Sequence, residues 1–275
     1  MSAPARFDLV RAAAPVPVIV DVPHAGLVID DLASSFMRIP ERAMRAGAIE
    51  ADADLGADLV WEGTESAGVT RVVARTSRHV IDLNTDPHPP PRAPFYEVDP
   101  EPARIFRRSQ CGASWVEAAM PRLEWQRRVT GILEPYHRAI EVELERARAL
   151  HGIACLVSAH TFHDRKRAIA DVVLGTQHER AAPAALRDAV ADVARSAGLT
   201  VALEDPFRGG WCLTRHARPS EGVVGIQIEI ARRLVTSGDE ASSAVDPGAL
   251  ARLQALARAI IPALVTALQT TRAPP

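Results

Sequence analysis

Residues 16–26 read VPVIVDVPHAG, and the fold follows from them. Val16–Val22 is an apolar, β-branched run with a proline only near its start, and it reads as a buried strand. The turn Pro23-His24-Ala25-Gly26 ends it, so a histidine leaves at its carboxyl end. Outward from this strand the pattern alternates. Ala46–Trp61 has a helical period and stops at Gly63, and Arg71–Ala74 and Val80–Leu83 read as short strands. Trp115–Leu150, rich in Glu, Arg, Leu and Ala, predicts two helices broken near Pro135. Ile153–Ser158 and Val172–Leu174 read as strands, Pro183–Ala197 as a helix, Thr200–Leu203 and Val223–Ile230 as strands, and Pro247–Leu268 as an amphipathic helix. Short strands alternating with helices predict an α/β sandwich on a largely parallel sheet.

Composition narrows the function classes. The 275 residues, 47% of them hydrophobic, can build one large core or at most two small ones. A formal net charge of −2 argues against a bulk electrostatic binder of nucleic acid or membrane surface. No apolar run is read as approaching the ~20 residues of a membrane span. The opening MSAPARFDLV lacks a basic region followed by a small-residue cleavage site, so no signal peptide is expected. Cys111, Cys155 and Cys212 form no CxxC pair, which fits a reducing cytoplasm better than a disulfide framework. Dinucleotide, P-loop and GxSxG signatures are absent from the sequence. Pro87–Pro94 (PHPPPRAP) reads as an extended loop, and Asp86–Ser114 around it has no clear period; it is either a binding loop or lid, or a plain surface excursion.

Three polar residues sit where an α/β sheet places ligands, beyond the carboxyl ends of its strands. His24 follows VPVIVDV, His160 follows IACLVSA, and Glu229 lies in VVGIQIEI. Gly26 would let backbone approach whatever His24 holds. Two converging imidazoles and a carboxylate are a common zinc set. The carboxylate could come from Glu50-Ala51-Asp52-Ala53-Asp54, where Glu50, Asp54 and Asp58 share one helix face and Asp52 points elsewhere. By spacing alone the acidic stripe reads equally as a solvated face, and the histidines as loop residues. Along IQIEI the isoleucines face one side of the sheet, while Gln227 and Glu229 face the other. Between apolar strands, a carboxylate there points into a cleft, where it could take a proton from a metal-activated water. Arg78 and Arg215, in apolar or Gly-marked segments, could clamp a carboxylate or share an oxyanion charge. His79, His137, His178 and His216 are weaker candidates, and His163 with Asp164 could support His160.

Eight segments in order carry a resemblance. They are VPHAG, EADADLGADLVW, SRHVIDLN, EPYHRAIEVEL, the strand ending SAH, DVVLGT, GGWCLTRH and GIQIEIAR. With them the chain resembles the N-formylglutamate amidohydrolases (N-formylglutamate deformylases), themselves similar in fold to zinc carboxypeptidases and aspartoacylase. The resemblance implies a single catalytic domain over residues 1–275, folded as a three-layer α/β/α sandwich with a mixed sheet. It implies a cytoplasmic hydrolase of histidine degradation that cleaves the amide of a small N-formyl or other N-acyl amino acid, with no nucleic-acid or membrane partner. It implies Zn2+ held by His24, His160 and a carboxylate, for which Asp54 is the better match and Asp52 the alternative. Glu229 matches the general base, and Arg78 and Asn84 match the residues that polarise the carbonyl and hold substrate. The chain departs from the family at Thr85, where DLN is usually followed by arginine, and at Ser158, where aspartate is common. Arg92 or Arg215 could replace the lost cation. The competing expectation is a metal- or ligand-binding module of the same fold without catalysis, for which the missing arginine would be the signal; the blandest is an α/β domain with incidental histidines, which would bind no metal.

Overall fold

The computed structural model describes residues 5–36, 48–87, 122–163, 170–236 and 244–271. Seven strands form one sheet: β1 (Phe7–Val10), β2 (Val18–Val22), β3 (Thr70–Ala74), β4 (Ala154–Phe162), β5 (Val172–Gly175), β6 (Val201–Leu203) and β7 (Val223–Ala231). Their spatial order is β1-β3-β2-β4-β7-β5-β6. β3, β2, β4 and β7 run parallel to one another; β1 joins β3 and β5 joins β7 in antiparallel fashion, and β6 follows β5 in parallel. The sheet is thus mixed and largely parallel. β2, β4 and β7 are buried along their whole length, as expected of central parallel strands covered on both faces. β1 was not expected from sequence. Its four residues are half-buried and form an edge, so they carry neither a continuous apolar run nor a long alternation.

The helices in chain order are α1 (Asp31–Ser35), α2 (Ala48–Asp52), α3 (Ala57–Val60), α4 (Arg122–Arg128), α5 (Glu134–His151), α6 (Ala184–Ser196), α7 (Trp211–His216) and α8 (Pro247–Thr271). One face of the sheet packs Val18, Val20, Val22, Ile226, Ile228 and Ile230 against α3, α6 and α8. The other packs Ile19, Val72 and Leu156 against α4 and α5. Helices on both faces make the three layers, with a hydrophobic cluster on each side.

Four local expectations change. α4 and α5 are not broken near Pro135; they are joined by a π-helical stretch, Val129–Leu133, that lets the chain pass the proline's missing N–H without leaving the helix. Val80–Leu83 is a buried loop, not a strand. Two of its carbonyls are satisfied by side chains of the helical layer: Arg128 donates to Val80 O at 2.7 Å, and the His137 ring meets Leu83 O at 2.9 Å. The acidic segment splits into α2 and α3 around Ala53–Gly56, with Gly56 at φ 76°. Over Pro247–Thr270, α8 is long and apolar enough by composition to cross a membrane (mean hydropathy 1.4), contrary to the expectation that no such run exists. Leu253, Leu256, Ile260, Ile261, Leu264 and Leu268 form a stripe at helical spacing that packs into the core.

Candidate metal centre

Strand register brings the chemistry together. β4 and β7 pair so that His160 lies opposite Glu229 and Ser158 opposite Gln227, while Asp21 of β2 lies opposite Ser158. His160 therefore sits inside β4 and not beyond its end, because the strand runs on to Phe162. His24 enters from the turn after β2, and its ring centroid is 4.9 Å from that of His160. Asp54 comes from the break between α2 and α3, where its N–H donates to His24 O at 3.0 Å. This break, not a shared helix face, aims Asp54 inward and separates it from Glu50 and Asp58.

Both imidazoles face one carboxylate oxygen. His160 Nδ1 lies 2.6 Å from Asp54 Oδ2, and His24 Nδ1 lies 3.5 Å from the same atom. The opposite nitrogens have other partners. His24 Nε2 is 2.8 Å from Asp82 Oδ1, and His160 Nε2 is 3.3 Å from Ser158 Oγ and from Asn84 Nδ2. One nitrogen aimed at a common point and the other held by a polar neighbour is the arrangement of metal-ligating histidines. One ligand atom from each of His24, Asp54 and His160 lies within 4.8 Å of the other two, and all three residues are buried. Among the described residues this is the cluster able to hold a metal ion. Asp52 is not part of it; its Oδ2 faces His79 Nε2 at 3.5 Å.

The charges fit a divalent cation. The cleft, of about 350 Å³, is lined by three carboxylates, Asp54, Asp82 and Glu229, with Arg78 beside them. Arg78 donates to Asp54 Oδ1 at 3.3 Å and to Asp82 Oδ2 at 3.2 Å. With neutral imidazoles the lining is net negative, a costly state for buried carboxylates without a further cation. The titrations respond accordingly. Burial would push His160 down, but the Glu229 and Asp54 carboxylates override it and raise its pKa to about 9. Burial would raise Asp54, but His24 and His160 hold it well below the usual carboxylate range. Burial would raise Asp82 as well, but His24 and Arg78 hold it well below that range. Glu229 differs: burial, reinforced by Asp54 and opposed by His160, raises it to about 7.

The remaining expected residues fall in different places. Arg78, Asn84 and Thr85 line the cleft with the metal-binding cluster and Glu229. The Asn84 amide already has protein partners, since Oδ1 accepts from Cys212 N–H at 2.8 Å and Nδ2 reaches Gln227 Oε1 at 3.4 Å. Arg215 is not brought to the cleft; it forks onto Glu134 at 3.0 and 2.6 Å and lies 4.9 Å over the Trp211 ring. Gly26 makes room for protein, not ligand, because a Cβ there would sit 2.5 Å from Arg75 C and Thr76 O. His163 lines the cleft and accepts from Arg232 at 2.7 Å. Asp164, Arg92, Cys111 and most of the Asp86–Ser114 loop lie outside the described residues. Asp82 is the residue that the sequence did not single out. Its signal was faint, a carboxylate four residues after Arg78 in an otherwise apolar segment. A larger groove of about 580 Å³ between Leu199 and Leu253 holds no ligating cluster among the described residues.

The chain is similar to known proteins. Residues 16–236 match the family model described as N-formylglutamate amidohydrolase. The chain is similar to the N-formylglutamate deformylase of Pseudomonas putida, 27% identical over 229 residues that cover 79% of this chain and 80% of that one. It is similar to the N-formylglutamate deformylase of Pseudomonas aeruginosa, 26% identical over 227 residues, covering 79% and 81%. A crystal structure of N-formylglutamate amidohydrolase from Ralstonia eutropha superposes with a TM-score of 0.76 at 26% identity, covering 96% of this chain and 97% of that one. A gene product of Agrobacterium tumefaciens shares the fold, with a TM-score of 0.71 at 20% identity, covering 97% and 95%.

Proposed function

Because the chain belongs to the N-formylglutamate amidohydrolase family, a family of hydrolases, we propose that it cleaves the amide of N-formylglutamate or of a closely related N-acyl amino acid. The observation that carries this reading is the convergence of His24, Asp54 and His160 within 4.8 Å, with Glu229 in the same cleft. His24, Asp54 and His160 would hold Zn2+, which when bound polarises the amide carbonyl and makes water more acidic.

The other roles belong to the protein's own groups. Glu229 takes a proton from the attacking water as the water oxygen bonds to the formyl carbon. It then delivers that proton to the leaving nitrogen as the C–N bond breaks, so that formate and the free amino acid result. Burial raises the Glu229 carboxyl from its ordinary value, the direction that suits a group which must both take and give a proton near neutral pH. Arg78, fixed between Asp54 and Asp82, keeps a cationic group at the cleft wall to share the charge that develops on the carbonyl oxygen. Asp82 fixes the His24 ring. Asn84 borders the substrate space beside Thr85. On this reading the enzyme works in histidine degradation in the cytoplasm, where the buried thiols of Cys155 and Cys212 stay reduced.

The test is metal analysis combined with turnover of N-formyl-L-glutamate. The purified chain should carry one zinc and release formate in a chelator-sensitive reaction. Glu229→Gln should keep the metal and lose turnover by on the order of a hundred- to ten-thousandfold. A metal-free wild type with no affinity for zinc, or a fully active Glu229→Gln, would reject the assignment.

A further inference from the structure

We infer that Gln227 is a positioning residue that aims the Glu229 carboxylate, held in its own orientation by the backbone N–H of Gly210 at the start of α7. The inference rests on the reading of Glu229 as the base and adds to it the means by which the base is held. Gln227 and Glu229 are two residues apart on β7, so their side chains leave the same face of the sheet. Both are buried.

The direction of each amide follows from its neighbours. A backbone N–H can only donate, so the Gln227 atom 2.8 Å from Gly210 N is the carbonyl Oε1. The other end is then the NH2 group, and it donates to Glu229 Oε1 at 2.8 Å. The same logic fixes Asn84. Cys212 N–H holds its Oδ1 at 2.8 Å, which leaves Nδ2 facing Gln227 Oε1 at 3.4 Å and His160 Nε2 at 3.3 Å. Two backbone donors thus polarise one chain of amides that ends on the carboxylate of Glu229. Gly210 is required for it, because a Cβ there would fall within 2.5 Å of the Asn84 amide. A flipped Gln227 would set two donors, its own NH2 and Gly210 N–H, against each other and its carbonyl against the carboxylate, so one orientation is strongly preferred.

With Oε1 of Glu229 engaged by Gln227, Oε2 is the oxygen left to take the proton. The hydrogen bond is to the base and not to substrate, so its loss should appear in turnover and not in binding. The experiment uses the full chain loaded with zinc and N-formyl-L-glutamate as substrate. Gln227→Met removes both the acceptor for Gly210 N–H and the donor to Glu229; Gln227→Leu removes both with a shorter, branched side chain. Each should lower kcat by about ten- to a hundredfold with KM within about twofold, while zinc stays at one per chain. In the Glu229→Gln background the same Gln227 changes should cost little more, since the group being aimed is gone.

Wild-type kcat in either folded Gln227 variant, with Glu229→Gln inactive, overturns this inference and leaves the hydrolase reading intact. A fully active Glu229→Gln removes the hydrolase reading beneath it. Loss of zinc in step with activity would make Gln227 a support of the metal site, which also overturns it. Should neither variant fold, a crystal structure of the wild-type chain decides: a Gln227 amide turned out of hydrogen-bond reach of Glu229 refutes the assignment.

Discussion

Asp82 accepts at three places: from the His24 ring at 2.8 Å, from Arg78 at 3.2 Å and from the Asn84 backbone N–H at 2.8 Å. These bonds account for a carboxyl held far below its ordinary range despite complete burial. A metal ligand whose second nitrogen loses its carboxylate partner is freer to rotate and less basic, and such changes typically cost ten- to a hundredfold in metal affinity. Asp82→Ala should therefore raise the zinc Kd by about ten- to a hundredfold, measured by competition with a chromogenic chelator. An unchanged Kd would mean that His24 is held by packing alone. Residue type and placement in or just after apolar strand segments made His24, His160 and Glu229 legible in the sequence. Asp82 was not, because its contact with the His24 ring joins residues 58 positions apart in the chain. The apolar residues of the Val80–Leu83 loop that carries Asp82 pack against α4 and α5, far along the chain.

At the scale of elements, β2, β4 and β7 were readable because central parallel strands must be apolar throughout. The segments that failed, the Val80–Leu83 loop and the acidic stretch around Asp54, take their shape from side chains elsewhere. The loop depends on a buried pair of rings on α5 and α7: His137 Nδ1 lies 2.8 Å from His216 Nε2, and His137 Nε2 meets Leu83 O at 2.9 Å. Because the Leu83 carbonyl can only accept, His137 carries its proton on Nε2 and accepts from His216 Nε2–H. Burial, with Arg215 nearby, lowers His137 to about 3; burial, with His137 nearby, lowers His216 to about 2. The folded pKa values lie below the unfolded one, so neither ring affects stability above about pH 6.5. As pH falls below that value the unfolded chain gains protons that the folded chain refuses, and stability drops. Asp21, which burial raises to about 6, titrates in the opposite sense, so the test must be a difference between proteins. Between pH 6.5 and 4.5 the wild type should lose about 2–3 kcal/mol relative to His137→Gln, read from urea unfolding at each pH. Parallel profiles would show that the ring is protonated in the folded state.

For the whole molecule, the metal site is where separate parts of the chain are brought to one point. His24 comes from the end of β2, Asp54 from between α2 and α3, Asp82 from a loop, and His160 and Glu229 from neighbouring central strands. The two hydrophobic clusters on either side of the sheet hold these segments in place, and the site works against them by collecting buried negative charge. Without metal, the raised pKa of His160, about 9, means that the ring takes up a proton and offsets part of that charge. A divalent cation offsets more, and it binds the folded chain in preference to the unfolded one, so it should stabilise in proportion to the logarithm of its concentration over Kd. At a hundredfold over Kd this is about 2.7 kcal/mol. For a chain of this size that corresponds to a Tm about 5–10 °C higher with zinc than after chelation. The shift should return on adding zinc back and should vanish in His160→Ala, which lacks a ligand. A wild type that binds one zinc yet melts at the same temperature with and without it would show that the cation binds folded and unfolded chains alike, and the tertiary convergence of His24, Asp54 and His160 would then not be what holds it.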